Sequence, residues 1–279
     1  MNAQLLPSSI YQFPAVVRTL GVIDEQNGQR VRLHTGNGEY EALTWLPFVC
    51  FQSLAGCEVS GNVTLGALDT SDGRSEYALL GFERDVHLPL RNFIAATTCP
   101  IPGVAEQLIA LIDEIQCPAL CRFVQRALML NGAFTCFWTC PASLRDHHAH
   151  AGGLAQHTLE VATLVASATT LSMENRDLGI VLALLHDLGK VWAYEGGQLT
   201  EAAALLGHER LAYDRLGPLL DELERQDQHA GLIMRALLAG EWRNGARRKR
   251  LAIGAVVNAF DQMSCEQERA KRYALGEPR

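Results

Sequence analysis

Residues 178–190 read Leu178-Gly179-Ile180-Val181-Leu182-Ala183-Leu184-Leu185-His186-Asp187-Leu188-Gly189-Lys190. Eight mostly apolar residues run straight into His-Asp. A helix with so little polar surface belongs inside a helical domain. A carboxylate buried at its end is costly unless a cation or hydrogen bonds compensate it. A divalent metal would do so, and imidazole with carboxylate suits Mn, Fe, Zn, Ni or Co. Gly189 reads as the residue that ends the helix. Lys190 would then emerge beside the metal, where an ammonium could hold a phosphate oxygen.

Histidines crowd the surrounding chain. Six of the nine lie between 147 and 208: His147, His148, His150, His157, His186 and His208. Leu154, Thr158 and Val161 set an apolar stripe on a helix, and His157 beside it should point inward. Downstream, Ala255-Val256-Val257-Asn258-Ala259-Phe260-Asp261 brings a second aspartate to an apolar helix. The 3.6 period begins after Pro102, with Val104, Leu108, Leu111, Ile112 and Ile115 on one face. Further helices are expected at about 118–131, 152–172, 176–188, 201–223, 229–240 and 247–271, with no strands among them. Residues 104–279 thus read as one all-α domain.

The first ninety residues have a different rhythm. Val16-Val17 and the runs at 30–33, 40–45, 48–51, 57–64 and 77–82 are β-branched or aromatic. Gln26-Asn27-Gly28, Thr35-Gly36-Asn37-Gly38, Ser60-Gly61-Asn62 and residues 69–73 punctuate them as turns. Short strands at this spacing predict a small β-barrel over 1–90, OB-like, with an SH3-like barrel as the alternative. Pro89, Pro100 and Pro102 mark 91–103 as a linker. The fold class is α+β: a small barrel followed by an all-α domain.

Two His and two Asp on three apolar helices, in the order H…HD…D with HDxGK at 186–190, resemble the HD phosphohydrolase superfamily. The segment Pro141-Ala142-Ser143, His147-His148-Ala149-His150-Ala151-Gly152-Gly153-Leu154 and His157-Thr158 is similar to the approach to the HD domain in YhaM-type 3′→5′ exoribonucleases. So are Leu199-Thr200-Glu201 and Leu205-Leu206-Gly207-His208. That family joins an OB domain to a helical HD domain. HD domains of relaxase-like proteins from mobile elements share a related HH…GGL…HxLEVA stretch. The resemblance implies that His157, His186, Asp187 and Asp261 bind metal, with His208 as a further ligand or a phosphate contact. It implies that Asp187 orients the attacking water and that Lys190 stabilises phosphoryl charge. One departure is plain. The family carries histidines on the helix matching 232–241, where this chain reads Leu232-Ile233-Met234-Arg235-Ala236-Leu237-Leu238-Ala239-Gly240-Glu241. The site would hold one metal, be completed by His229 or Glu241, or be weakened.

Substrate contacts are expected from His147 and His148, which could equally be surface residues in a loop, and from the basic cluster Arg243, Arg247, Arg248, Lys249 and Arg250, which otherwise reads as a solvated helix start. Tyr40, Trp45, Phe48, Phe51, Tyr77 and Phe82 are available to stack bases in a barrel groove, although aromatics of a small barrel are more often core. Lys and Arg number 24 against 31 acidic residues, a net charge of −7, which disfavours a chain coated in basic charge for duplex DNA. With 48% apolar and 20% charged residues the composition is globular. The eight cysteines read as reduced thiols. Cys117/Cys121 and Cys136/Cys140 read as small hydrophobes on helices rather than a four-thiolate zinc site. The start has no basic or apolar signal segment, no stretch suits a membrane span, and the protein is read as cytoplasmic. The reading is a metal-dependent phosphodiesterase on single-stranded RNA or DNA, acting 3′→5′. Manganese is the expected ion, with Fe, Co, Ni, Zn or Mg as alternatives, and homo-oligomerisation is left open. Alternatives are an HD phosphohydrolase on a small nucleotide and a weakened HD protein that binds nucleic acid.

Overall fold

The computed structural model describes residues 7–22, 28–52, 56–69, 75–240 and 251–274. The chain divides into two compact units, Met1–Ala96 and Thr97–Arg279. In the first, strands β1 (Ser9–Val22), β2 (Gln29–Thr35), β3 (Gly38–Thr44), β4 (Val59–Asp69) and β5 (Ser75–Arg84) close into a barrel in the order β1-β2-β3-β5-β4. β1 closes it by pairing antiparallel with β4 along its first half and with β2 along its second. β3 and β5 run parallel where Leu43 meets Ala78. This is an OB-like order.

Alternation explains the faces. Val31 and Leu33 of β2 join Ala15, Val17, Ala42, Val63, Leu65 and Leu79 in the barrel core. Arg30 and Arg32 point away from that core, and Arg32 donates to Glu41 across the strand pair at 2.7 Å. The run at 48–51 is not a strand. It forms a 3-10 turn, Phe48–Phe51, because Pro47 cannot donate to a ladder and its carbonyl takes the Cys50 N–H at 2.9 Å. Arg84 then donates to the Cys50 and Gln52 carbonyls at 3.0 and 2.7 Å, and Phe51 plugs the barrel core. Tyr40, Tyr77 and Phe82 pack against the same core, while Trp45 is 60% exposed. Phe48's side chain lies outside the described residues.

The second unit is helical: α1 (Val104–Asp113), α2 (Pro118–Leu128), α3 (Ala133–Cys136), α4 (Gly153–Ala166), α5 (Met173–Leu185), α6 (Lys190–Ala193), α7 (Glu201–Leu206), α8 (His208–Gln226), α9 (Gln228–Leu238) and α10 (Ala252–Ala274). α5 starts where the Ser172 hydroxyl accepts the Asn175 N–H at 3.2 Å, and every residue from Asp177 to its end is buried. The stretch 201–223 is two helices, because the backbone turns at Gly207 with φ 80°. Strands are not absent from this unit: β6 (Tyr194–Glu195) and β7 (Gln198–Leu199) pair around Gly196-Gly197. All eight cysteines are free thiols. Among the described residues the four at 117, 121, 136 and 140 form no metal-binding group. No helix among the described residues is long and apolar enough to cross a membrane.

Candidate metal centre

Four helices present the centre. α4 carries His157, fully buried at 0% exposure. His186 caps the end of α5, followed by buried Asp187. His208 is the first residue of α8, and Asp261 lies on α10. His157 Nε2 is 3.1 Å from Asp261 Oδ1 and 3.6 Å from Asp187 Oδ2. His186 Nε2 is 3.5 Å from Asp187 Oδ2 and 3.7 Å from Asp261 Oδ1. The four side chains therefore converge on one point.

Their partners fix which ring nitrogens carry protons. His186 Nδ1 lies 2.8 Å from the Ala183 carbonyl, which only accepts, so Nδ1 holds the proton. His157 Nδ1 lies 3.2 Å from Ser264 Oγ. The Ser264 hydroxyl donates to Glu160 Oε2 at 2.7 Å, which leaves its oxygen to accept from His157. In the neutral rings both Nε2 atoms are thus lone pairs. Both are buried and neither has a hydrogen-bond partner. Two bare imidazole nitrogens facing two carboxylate oxygens repel unless a cation lies between them. The donor set fits a divalent transition ion. Without the ion the same field acts on His186: burial alone would lower its pKa, but Asp187 and Asp261 outweigh it and hold it above its usual value.

Two glycines let the backbone close around this point. A Cβ on Gly189 would lie 1.8 Å from the His208 carbonyl oxygen. Gly189 is not the left-handed end of α5; its φ is −60°, and its missing side chain lets α8 pack on the His-Asp turn. His208 Nε2 consequently reaches Asp187 Oδ1 at 3.0 Å and donates to it. A Cβ on Gly153 would meet the His148 carbonyl oxygen at 2.0 Å, so the loop before α4 also packs tightly.

Lys190 does not emerge into the open. It is buried, and its ammonium sits 2.5 Å from Asp187 Oδ2. Burial pushes the Lys190 pKa down and Asp187 more than restores it. Burial likewise opposes ionisation of Asp187, yet His186, Lys190 and His208 together hold its carboxyl well below the usual range. His148 is not a surface residue either. It is 1% exposed, has φ 47°, and its Nε2 lies 3.1 Å from Glu160 Oε2. His147 is half-buried, with its ring 5.3 Å from that of His157. Burial and His157 lower its pKa. His229 is far from completing the centre: it is exposed and pairs with Glu174 at 3.3 Å. Arg243, Arg247, Arg248, Lys249, Arg250 and Glu241 lie outside the described residues.

A cavity of about 450 Å³ opens beside the cluster, with His186 and Asp261 in its wall. Leu182, Leu185, Leu237 and Val257 make it greasy, and Arg210 and Tyr213 add polar groups. Sequence reading missed Glu160, Ser264 and Arg210. The signal for two of them was spacing: Glu160 follows His157 by one helical turn, as Ser264 follows Asp261.

Residues 154–252 match the HD domain family. It is 32% identical over 155 residues to a protein named 3′-5′ exoribonuclease YhaM from Listeria welshimeri, covering 52% of this chain and 49% of that one. Proteins of the same name from Listeria monocytogenes and Listeria innocua align over the same shares at 32% and 31% identity. The chain spans about half the length of the curated relatives it matches. No solved structure gives a significant match.

Proposed function

We propose that this HD-domain chain is a metal-dependent phosphodiesterase that removes nucleotides from single-stranded nucleic acid, RNA first, in the 3′→5′ direction. One observation carries the reading: two imidazole nitrogens without hydrogen-bond partners face two carboxylates, and His186 and Asp261 of that set line a 450 Å³ cavity. His157, His186, Asp187 and Asp261 hold the ion, and manganese is the one to test first. When bound, a divalent cation acidifies water and offsets charge on a phosphodiester. The chain's own residues do the rest. Ser264 and Ala183 keep protons on the outer nitrogens of the two ligand rings. His208 keeps a proton on Nε2 and steadies Asp187 Oδ1. Lys190 neutralises Oδ2 of the same carboxylate and acts as a positioning residue rather than a phosphate ligand. Arg210, in the cavity wall and paired with Asp214 at 3.0 Å, is the candidate phosphate contact, and the apolar wall excludes water from the base and sugar. The barrel, with Trp45 exposed, is the proposed binding module.

The cavity is of a size for a single nucleotide, which favours a second reading as a nucleotide phosphohydrolase. Digestion of a 5′-labelled RNA oligonucleotide with Mn²⁺, beside hydrolysis of free nucleotides, separates the two. The expected result is stepwise shortening from the 3′ end, lost in Asp187→Ala. Hydrolysis of free nucleotides with the oligonucleotide intact would select the second reading, and activity retained by Asp187→Ala would sink both.

A further inference from the structure

A second convergence adjoins the four-residue set. One ligand atom from each of His147, His157 and Cys265 lie within 4.8 Å of one another. His147 Nδ1 is buried with no hydrogen-bond partner, since Asp146 Oδ2 stands off at 3.9 Å. Cys265 is one helical turn beyond Asp261, with its Sγ 3.7 Å from Asp261 Oδ1. The loop that carries His147 is tied down. The Ser143 hydroxyl accepts the Asp146 N–H at 2.8 Å and donates to the His147 carbonyl at 3.0 Å. Asp146 takes both prongs of Arg269 from α10. His148 is held by Glu160. His147 is therefore a preset donor on the α10 side of the centre.

We propose that the metal centre includes His147 and Cys265, which makes it a mixed nitrogen, oxygen and sulfur site. Ser264 engages His157 Nδ1, so Nε2 is the nitrogen the two groups share, and one ion bound there would draw His147 and Cys265 in toward it. A thiolate and three imidazoles shift preference from magnesium or manganese toward zinc, cobalt or iron. The inference rests on the metal reading above and is testable apart from activity.

The test is cobalt(II) reconstitution of the metal-free full chain. The expected result is one bound cobalt with a near-ultraviolet sulfur-to-cobalt charge-transfer band, lost in Cys265→Ser, and weaker cobalt binding in His147→Ala. X-ray absorption at the cobalt edge of the unaltered protein should show one sulfur neighbour, which keeps the test decisive if Cys265→Ser does not fold. Cobalt bound without a band or a sulfur neighbour overturns the inference and leaves the four-residue centre standing. A band that survives Cys265→Ser belongs to another thiol and also overturns it. Failure of the unaltered protein to bind cobalt overturns the inference and the metal reading together.

Discussion

Gly189→Ala should couple stability to the metal centre more directly than any change to a ligand. An added Cβ would sit 1.8 Å from the His208 oxygen, 2.7 Å from its carbonyl carbon and 3.1 Å from the Ala212 nitrogen, all of them backbone atoms. A carbon and an oxygen need about 3.2 Å or more, so α8 must retreat by about 1.4 Å. Overpacking of this kind costs about 1–3 kcal/mol, and here it falls on backbone that cannot swing aside. In a helical unit of this size that is a loss of about 3–10 °C in Tm. The retreat also stretches the 3.0 Å bond between His208 and Asp187 past hydrogen-bonding range. Gly217→Ala is the control. It lies on the same α8 with nothing within 4 Å of its added Cβ, and the change should stabilise by about 0.5–1 kcal/mol. The assay is thermal unfolding of both variants with bound metal measured in parallel. An unchanged Tm in Gly189→Ala, or equal effects from the two substitutions, would refute the packing argument.

Three further outcomes follow from the surroundings of the centre. Ser264→Ala frees His157 to move its proton to Nε2, so metal affinity should fall by roughly 10–100-fold with the fold retained, as read by competition against a chelating dye. Glu160 is pushed up by burial but pulled down further by His148, Ser264 and Gln156, to about 2 from the usual 4.5. A depressed carboxylate stabilises fully above its unfolded value and loses that contribution as pH falls. Of order 2 kcal/mol should therefore disappear between about pH 4.5 and 2, and Tm measured against pH in Glu160→Gln should have a flatter acid limb. Burial, with Cys136 beside it, pushes the Cys140 thiol up to about 12, whereas Cys136 is exposed. Iodoacetamide followed by peptide mass mapping should find Cys136 labelled well before Cys140, and the reverse order would contradict the burial.

The sequence by itself determined the two-part architecture and the heart of the centre. Both are local statements. The alternation in 30–33 and the apolar run into His186-Asp187 each fit within one element, where periodicity and burial are read from neighbours. Asp261 was also legible, because it ends its own apolar run. Only the tertiary structure decided the rest. The turn at 48–51 starts from Pro47, but it is pinned by Arg84 of β5, more than thirty residues away, which captures the Cys50 and Gln52 carbonyls. Gly189 looked like a helix terminator, but it is needed because His208, 19 residues later, packs against it. His147 and His148 read as loop residues until Glu160 and the α4–α10 packing placed them inside. Ser264 holds His157 across 107 residues of chain. A proton's place on a ring, or the sign of a lysine's role, is set by atoms brought within 3 Å by folding, and no spacing along the chain encodes that distance.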